Sequence, residues 1–124
     1  MLITQRPEEA HLGGLWEFPG GKRQPGEDLE DCLRRELREE LGIEVEVGDL
    51  VASILHRYPD KTVDLKFFRC RWLWPEPLKL GCPDFRWVGA EELGNFEFPA
   101  ADARLLDRLR GEPELWTWPG QEPQ

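Results

Sequence analysis

Glu36, Glu39 and Glu40 fall within five consecutive positions, Glu36-Leu37-Arg38-Glu39-Glu40. On a helix, Glu36 and Glu40 stand one turn apart and Glu39 lies three positions from Glu36, so Glu36 neighbours both on the surface. Carboxylates placed this way repel one another. The cluster is tolerable where all three face open water, or where a hard cation neutralises them. Mg²⁺ suits the second case, because it takes oxygen ligands and joins substrate phosphates to one or two carboxylates.

The flanking residues predict the elements that must position this cluster. Glu17-Phe18-Pro19-Gly20-Gly21-Lys22 reads as a loop, its paired glycines admitting backbone angles closed to other residues. Gly26-Glu27-Asp28 then leads into a helix whose positive N-terminal end suits Glu27, Asp28, Glu30 and Asp31. Leu29, Leu33, Leu37 and Leu41 predict a buried stripe that Cys32 widens, and Gly42 supplies the stop.

Written by spacing, the stretch is Gly21, five residues, Glu27, seven residues, then Arg35-Glu36-Leu37-Arg38-Glu39-Glu40-Leu41-Gly42-Ile43. It resembles the signature of the Nudix hydrolases without a substitution. The adjoining Gly14-Leu15-Trp16-Glu17-Phe18-Pro19-Gly20-Gly21-Lys22 narrows the resemblance to the MutT branch, which cleaves nucleoside triphosphates.

The resemblance implies that Glu36, Glu39 and Glu40, with the main-chain carbonyl of Gly20, bind Mg²⁺, for which Mn²⁺ is a substitute. It implies water attack on the inner of the two phosphates flanking the cleaved bond, releasing a nucleoside monophosphate and pyrophosphate. Arg35 is expected to orient the carboxylates, a task that a bidentate fork suits better than Lys would. Glu27 either caps the helix and holds the loop or touches the metal. Lys22 is placed to meet a phosphate, although a Walker A reading fails at Trp16 and Arg23.

Arg6, His11, Glu17 and Phe18, with Pro19 beside them, match positions that line the nucleotide pocket in the MutT branch. Phe96-Glu97-Phe98-Pro99-Ala100-Ala101-Asp102 resembles the segment whose Asn reads an oxidised guanine, with Asp102 in its place. An ionised Asp only accepts hydrogen bonds, whereas Asn also donates, so the guanine assignment is weakened. The plain alternative is a helix N-terminal acid. A further carboxylate that the branch places before its last strand falls on Gly81, with Asp84 as the nearest acid.

Charge bounds the partners. A formal net charge of −9 argues against duplex nucleic acid, whose affinity comes from Lys and Arg neutralising phosphates. It also requires metal ions or a few placed cations before a triphosphate can bind. No stretch approaches a membrane span and no basic-then-apolar leader is visible, so the cytoplasm is expected. Cys32, Cys70 and Cys82 lack metal-site spacing and are expected to be buried, reduced thiols.

With 124 residues, one domain is expected, residues 1–111, followed by a flexible tail over 112–124 unless Trp116 and Trp118 dock it. Strands are predicted at Met1–Arg6, Glu44–Val47, Leu50–Tyr58, Thr62–Trp74 and Phe85–Val88, with a helical turn at Ala90–Leu93 and a second helix at Ala100–Arg110. The family places one more strand ahead of Met1. A start codon assigned too far downstream is the expected explanation, a minimal variant the alternative. The pattern suggests an α/β chain, and the resemblance implies the Nudix fold, an α/β/α sandwich with a mixed β-sheet.

The leading expectation is a Mg²⁺-dependent nucleoside-triphosphate diphosphatase that cleanses the nucleotide pool of oxidised dGTP. A diphosphatase for pyrimidine or assorted nucleotides is the second. The third is a catalytically impaired nucleotide-binding module. The oligomeric state is not expressed in these residues.

Overall fold

The computed structural model describes residues 1–20 and 23–118. The acidic helix forms as α1, Leu29–Leu41. Asp28 caps it, its Oδ1 accepting from the Asp31 amide at 2.7 Å. At the far end Gly42 adopts a left-handed conformation (φ 67°), and its N–H reaches the carbonyls of Arg38 and Leu37. This is the glycine-terminated stop that satisfies orphaned carbonyls. Leu37 and Leu41 are buried as expected, while Leu29, at the first position, is 36% exposed. The apolar stripe therefore begins at Cys32.

Strand β1 (Leu2–Gln5) lies between β2 (Trp16–Glu17) and β5 (Phe85–Trp87), antiparallel to both. Strands β3 (Glu44–Arg57) and β4 (Thr62–Trp74) form a long antiparallel hairpin, its turn closed by the Tyr58 amide on the Lys61 carbonyl at 2.7 Å. Described strand pairings are thus all antiparallel and divide into two sheets, where one mixed sheet was expected. The four residues between β3 and β4 can only reverse the chain, since parallel pairing needs a long crossover.

Two strands predicted over residues 44–58 are one. The pairing slips between Val47 and Leu50, so Gly48 and Asp49 form an irregularity inside β3 rather than a break. Near Gly48 a Cβ would come within 3.0 Å of both the Arg69 carbonyl and the Trp118 ring, which explains a residue without a side chain there.

Alternation along β1 sets the layers. Ile3 joins Ile54, Val88 and Leu93 in a core closed by Leu105 and Leu109 of α2 (Ala103–Gly111). Leu2, on the opposite face, packs with Phe85 against Leu37, Leu41, Ile43 and Val45 beneath α1. A helix on each face of the β1 sheet is the expected sandwich. The second helix opens with a 3-10 turn at Ala100–Asp102, and another spans Ala90–Asn95.

A loose tail was expected beyond residue 111, but residues 112–118 dock. Pro113–Trp116 make a 3-10 turn, and Trp116 Nε1 donates to the Leu109 carbonyl at 2.7 Å. Arg69 Nη1 donates to the Thr117 carbonyl at 2.9 Å, and the Arg71 guanidinium sits 5.2 Å from the Trp118 ring centre. Both tryptophans are the anchors, as the alternative reading held. Residues 119–124 lie outside the described residues. Among those described, no helix is long and apolar enough to cross a membrane.

Candidate active site

Arg35 is the hub of the outward face of α1. Its Nε and Nη2 donate to the two oxygens of Glu27 at 2.8 and 3.1 Å, while Nη1 reaches Glu36 at 2.9 Å and Glu39 at 3.2 Å. Glu27 also accepts from the Gln24 amide at 3.0 Å, which ties the loop before α1 to the helix. The hydrogen bonds from Arg35, then from Gln24, hold its carboxyl down at about 2. Of the two roles open to Glu27, this geometry is that of the loop holder.

Glu40 has the opposite surroundings. Its Oε2 is buried and makes no hydrogen bond among the described residues. Burial, then the charges of Glu17 and Glu36, push its carboxyl up to about 7, against a hydrogen bond from the Gly20 backbone. Gly20 and Glu40 are thereby brought together, although they lie on different elements. A buried carboxylate beside like charges is an expensive arrangement unless a cation joins it.

The donors fit a hard divalent cation by chemistry, being carboxylate oxygens with one unpartnered and turned inward. As the side chains stand, no three His, Cys, Asp or Glu among the described residues are gathered to hold a metal. Glu36 and Glu39 are drawn onto Arg35, so a cation has to compete with that guanidinium for them. Lys22, and Gly21 of the signature, lie outside the described residues.

The loop carrying Gly81 is pinned along the end of α1. Leu80 and Gly81 amides donate to the Glu40 carbonyl at 3.1 and 2.9 Å, and Leu78 to Leu41 at 2.9 Å. At Gly81 a Cβ would stand 3.3 Å from Glu40 Cα, so any side chain there is crowded. Asp84, the nearest acid, is engaged by its own neighbours. Its Oδ1 accepts from the Phe85 amide at 2.8 Å and Arg86 at 2.7 Å, with Lys79 at 3.3 Å. Burial pushes its carboxyl up, but Phe85, Lys79 and Arg86 outweigh that and hold it below the usual range.

Of the residues expected in the nucleotide pocket, Arg6, Glu17 and the main chain of His11 come together. Arg6 Nη1 pairs with Glu17 Oε2 at 2.7 Å, and its Nε donates to the His11 carbonyl at 2.7 Å. His11 contributes its main chain, for its exposed ring lies edge-on to Tyr58 at 6.0 Å. Phe18 is occupied on two sides, stacked on Phe98 at 5.3 Å and edge-on to Phe67 at 5.6 Å, which makes it a core residue. Pro19 is half-buried between Phe18 and Gly20.

Asp102 is 6% exposed and makes no capping hydrogen bond to the helix it precedes. Asp102 thus stands at the N-terminus of α2, where the plain alternative put an acid, but without a capping hydrogen bond. Burial, then Glu17, push its carboxyl up to about 6, with Arg6 acting the other way. The charge of Glu17 thus acts on both Glu40 and Asp102. Cys82 escaped the sequence reading: burial, Glu40, Asp84 and Glu17 all raise its thiol, which puts it beside the carboxylates. A cysteine one residue from a predicted loop glycine carries no such signal by itself.

Comparison with known proteins agrees with the helix and its signature. The NUDIX domain model matches residues 1–108. A CTP pyrophosphohydrolase of Escherichia coli is 57% identical, over 86% of this chain and 79% of that one. An 8-oxo-dGTP diphosphatase of Proteus vulgaris is 47% identical over 68 residues, 55% of this chain; the match spans 61% of that protein's length, under two thirds. Among solved structures, a MutT protein from Methanosarcina mazei superposes with a TM-score of 0.78 at 28% identity, covering 91% of this chain and 84% of that one. A domain match over residues 1–108 of 124, with the acidic signature intact on one helix, means that the chain belongs to the Nudix hydrolase family.

Proposed function

We propose that this Nudix hydrolase is a Mg²⁺-dependent nucleoside-triphosphate diphosphatase that releases a nucleoside monophosphate and pyrophosphate, with cytidine nucleotides as preferred substrates. The observation that carries the reaction is the buried, unpartnered Oε2 of Glu40 beside Glu36 and Glu39. Those three side chains, with Gly20, would hold the cation, and Mn²⁺ would serve in its place. When bound, the cation neutralises charge on the polyphosphate and aligns it for attack. Arg35 keeps Glu36 and Glu39 on one side of the helix, where they would be available to hold the cation. Neither Gly81 nor Asp84 supplies a base, so the water's proton passes to a carboxylate of α1 itself.

The cytidine preference rests on Asp102 and on the 57% identity to a CTP pyrophosphohydrolase. An ionised carboxylate accepts from the exocyclic amino group of cytosine, whereas to the carbonyl oxygens of an oxidised guanine it has nothing to donate. The second reading, cleansing of oxidised dGTP, is favoured by the Proteus relative and by the raised Asp102 carboxyl. Below about pH 6 it keeps its proton and both donates and accepts. Either substrate belongs to the free nucleotide pool of the cytoplasm, and a net charge of −9 keeps nucleic acid polymers away.

A panel of nucleoside triphosphates with Mg²⁺, scored for pyrophosphate, tests both. Faster release from CTP or dCTP is expected. A preference for 8-oxo-dGTP selects the second reading, and no release from any substrate leaves only a nucleotide-binding module.

A further inference from the structure

Thr4 sits at the centre of β1, hydrogen-bonded into the sheet between β2 and β5, and is fully buried. Its Oγ1 has no hydrogen-bond partner among the described residues. An unpaired buried hydroxyl costs about 1–3 kcal/mol. Valine has nearly the same shape and none of that cost, so the hydroxyl calls for an explanation.

Its position supplies one. Thr4 shares a face of β1 with Leu2, and Leu2 packs with Phe85 against Leu37 and Leu41 of α1. Directly across the ladder stand Glu17 on one side and Phe85 on the other. Glu17 in turn acts on Glu40 of α1, whose Oε2 is likewise buried and unpartnered among the described residues. The two elements that enclose the space between sheet and helix thus each carry an orphaned polar group, one a donor and one an acceptor. A water molecule in such a space finds the partners it needs.

We propose that Thr4 is a positioning residue for Glu40: its hydroxyl and Glu40 Oε2 share one ordered water, which fixes that carboxylate beside Glu36 and Glu39. The inference rests on the metal-site reading above and adds to it a residue from outside the signature. It also explains why a polar residue interrupts an otherwise apolar strand face.

The test uses Mn²⁺ alone as the probe, binding measured by electron paramagnetic resonance on the full, substrate-free chain, with a melting temperature for each variant. Thr4→Val is expected to melt no lower than the native chain, yet to bind Mn²⁺ about tenfold more weakly, the usual loss when a ligand's orienting partner is removed. Thr4→Ser keeps the hydroxyl and is expected to hold native affinity. In turnover, Thr4→Val should lower kcat while leaving KM for the nucleotide unchanged. Native Mn²⁺ affinity in Thr4→Val overturns the proposal. Should Thr4→Val not fold, Thr4→Ser against Thr4→Ala makes the same comparison, and equal affinity in that pair overturns it. Failure of the metal-site reading looks different, since the native chain and Glu40→Gln would then bind Mn²⁺ equally.

Discussion

Glu27 and Glu40 flank the same helix and belong to one acidic cluster, yet their surroundings are opposed. Glu27 has a guanidinium on both oxygens and a carboxyl held at about 2. Glu40 has burial, three like charges and an unpaired oxygen, and a carboxyl raised to about 7. The chain supplies its own cation at the entry of α1. At the exit, among the described residues, it leaves the negative charge to be met from outside. One end is scaffold and the other is a place for a ligand.

Breaking the exit end should have the largest effect. Glu40→Gln keeps shape and removes the charge, so kcat should fall on the order of a thousandfold, several kcal/mol of electrostatic stabilisation. The melting temperature should hold or rise, because a buried unpaired charge is gone. Undiminished turnover in that variant would sink the assignment of Glu40.

Arg35→Lys sharpens the comparison from the other end. A lysine cannot grip Glu27 with a fork while also reaching Glu36 and Glu39. Mn²⁺ affinity should fall by about tenfold or more through misplaced ligands. If the variant instead binds the ion more tightly, Arg35 is chiefly a competitor for Glu36 and Glu39 and not their organiser.

Asp102 is a second carboxyl raised by burial, though with Arg6 in reach. Folded, it holds its proton up to about pH 6, whereas its ordinary value is 3.8. The folded state thus binds more protons across that window, and stability contributed at Asp102 falls as pH rises from about 4 to 6. Asp102→Asn should flatten this slope in melting curves recorded across pH. It should also shift preference from cytidine toward guanine nucleotides by about tenfold, near 1.4 kcal/mol. An unaltered slope and an unaltered preference would remove Asp102 from the pocket.

The smallest effect belongs to the entry cap. Asp28→Ala should cost about 1 kcal/mol of stability. Denaturant titration measures the loss, and Mn²⁺ binding should stay native if the entry of α1 is scaffold alone. Weaker binding would mean that the two ends are coupled.

Much of this was legible in the residues. The stop at Gly42 and the span Thr62–Trp74 emerged where turn chemistry and period predicted them. The Asp28 cap was passed over as one of several acids, although Asp before an apolar period is a recognisable helix start. At Gly48 the reading broke one strand into two, because an irregularity and a chain reversal present the same glycine locally. The docking of residues 112–118 depends on nearby Leu109 and on Arg69 and Arg71, which lie far from the tail in number.

By itself the sequence determined the acidic helix, its limits and its family, since these follow from spacing within one turn or a few. Which carboxylate is neutralised and which is left bare was decided only in three dimensions. Charge on a side chain is a property of its residue type, but burial and the reach of a neighbouring guanidinium depend on strands and loops that fold in from elsewhere. Glu40 becomes a candidate ligand because the loop at Gly81 folds back onto the end of α1 that carries it.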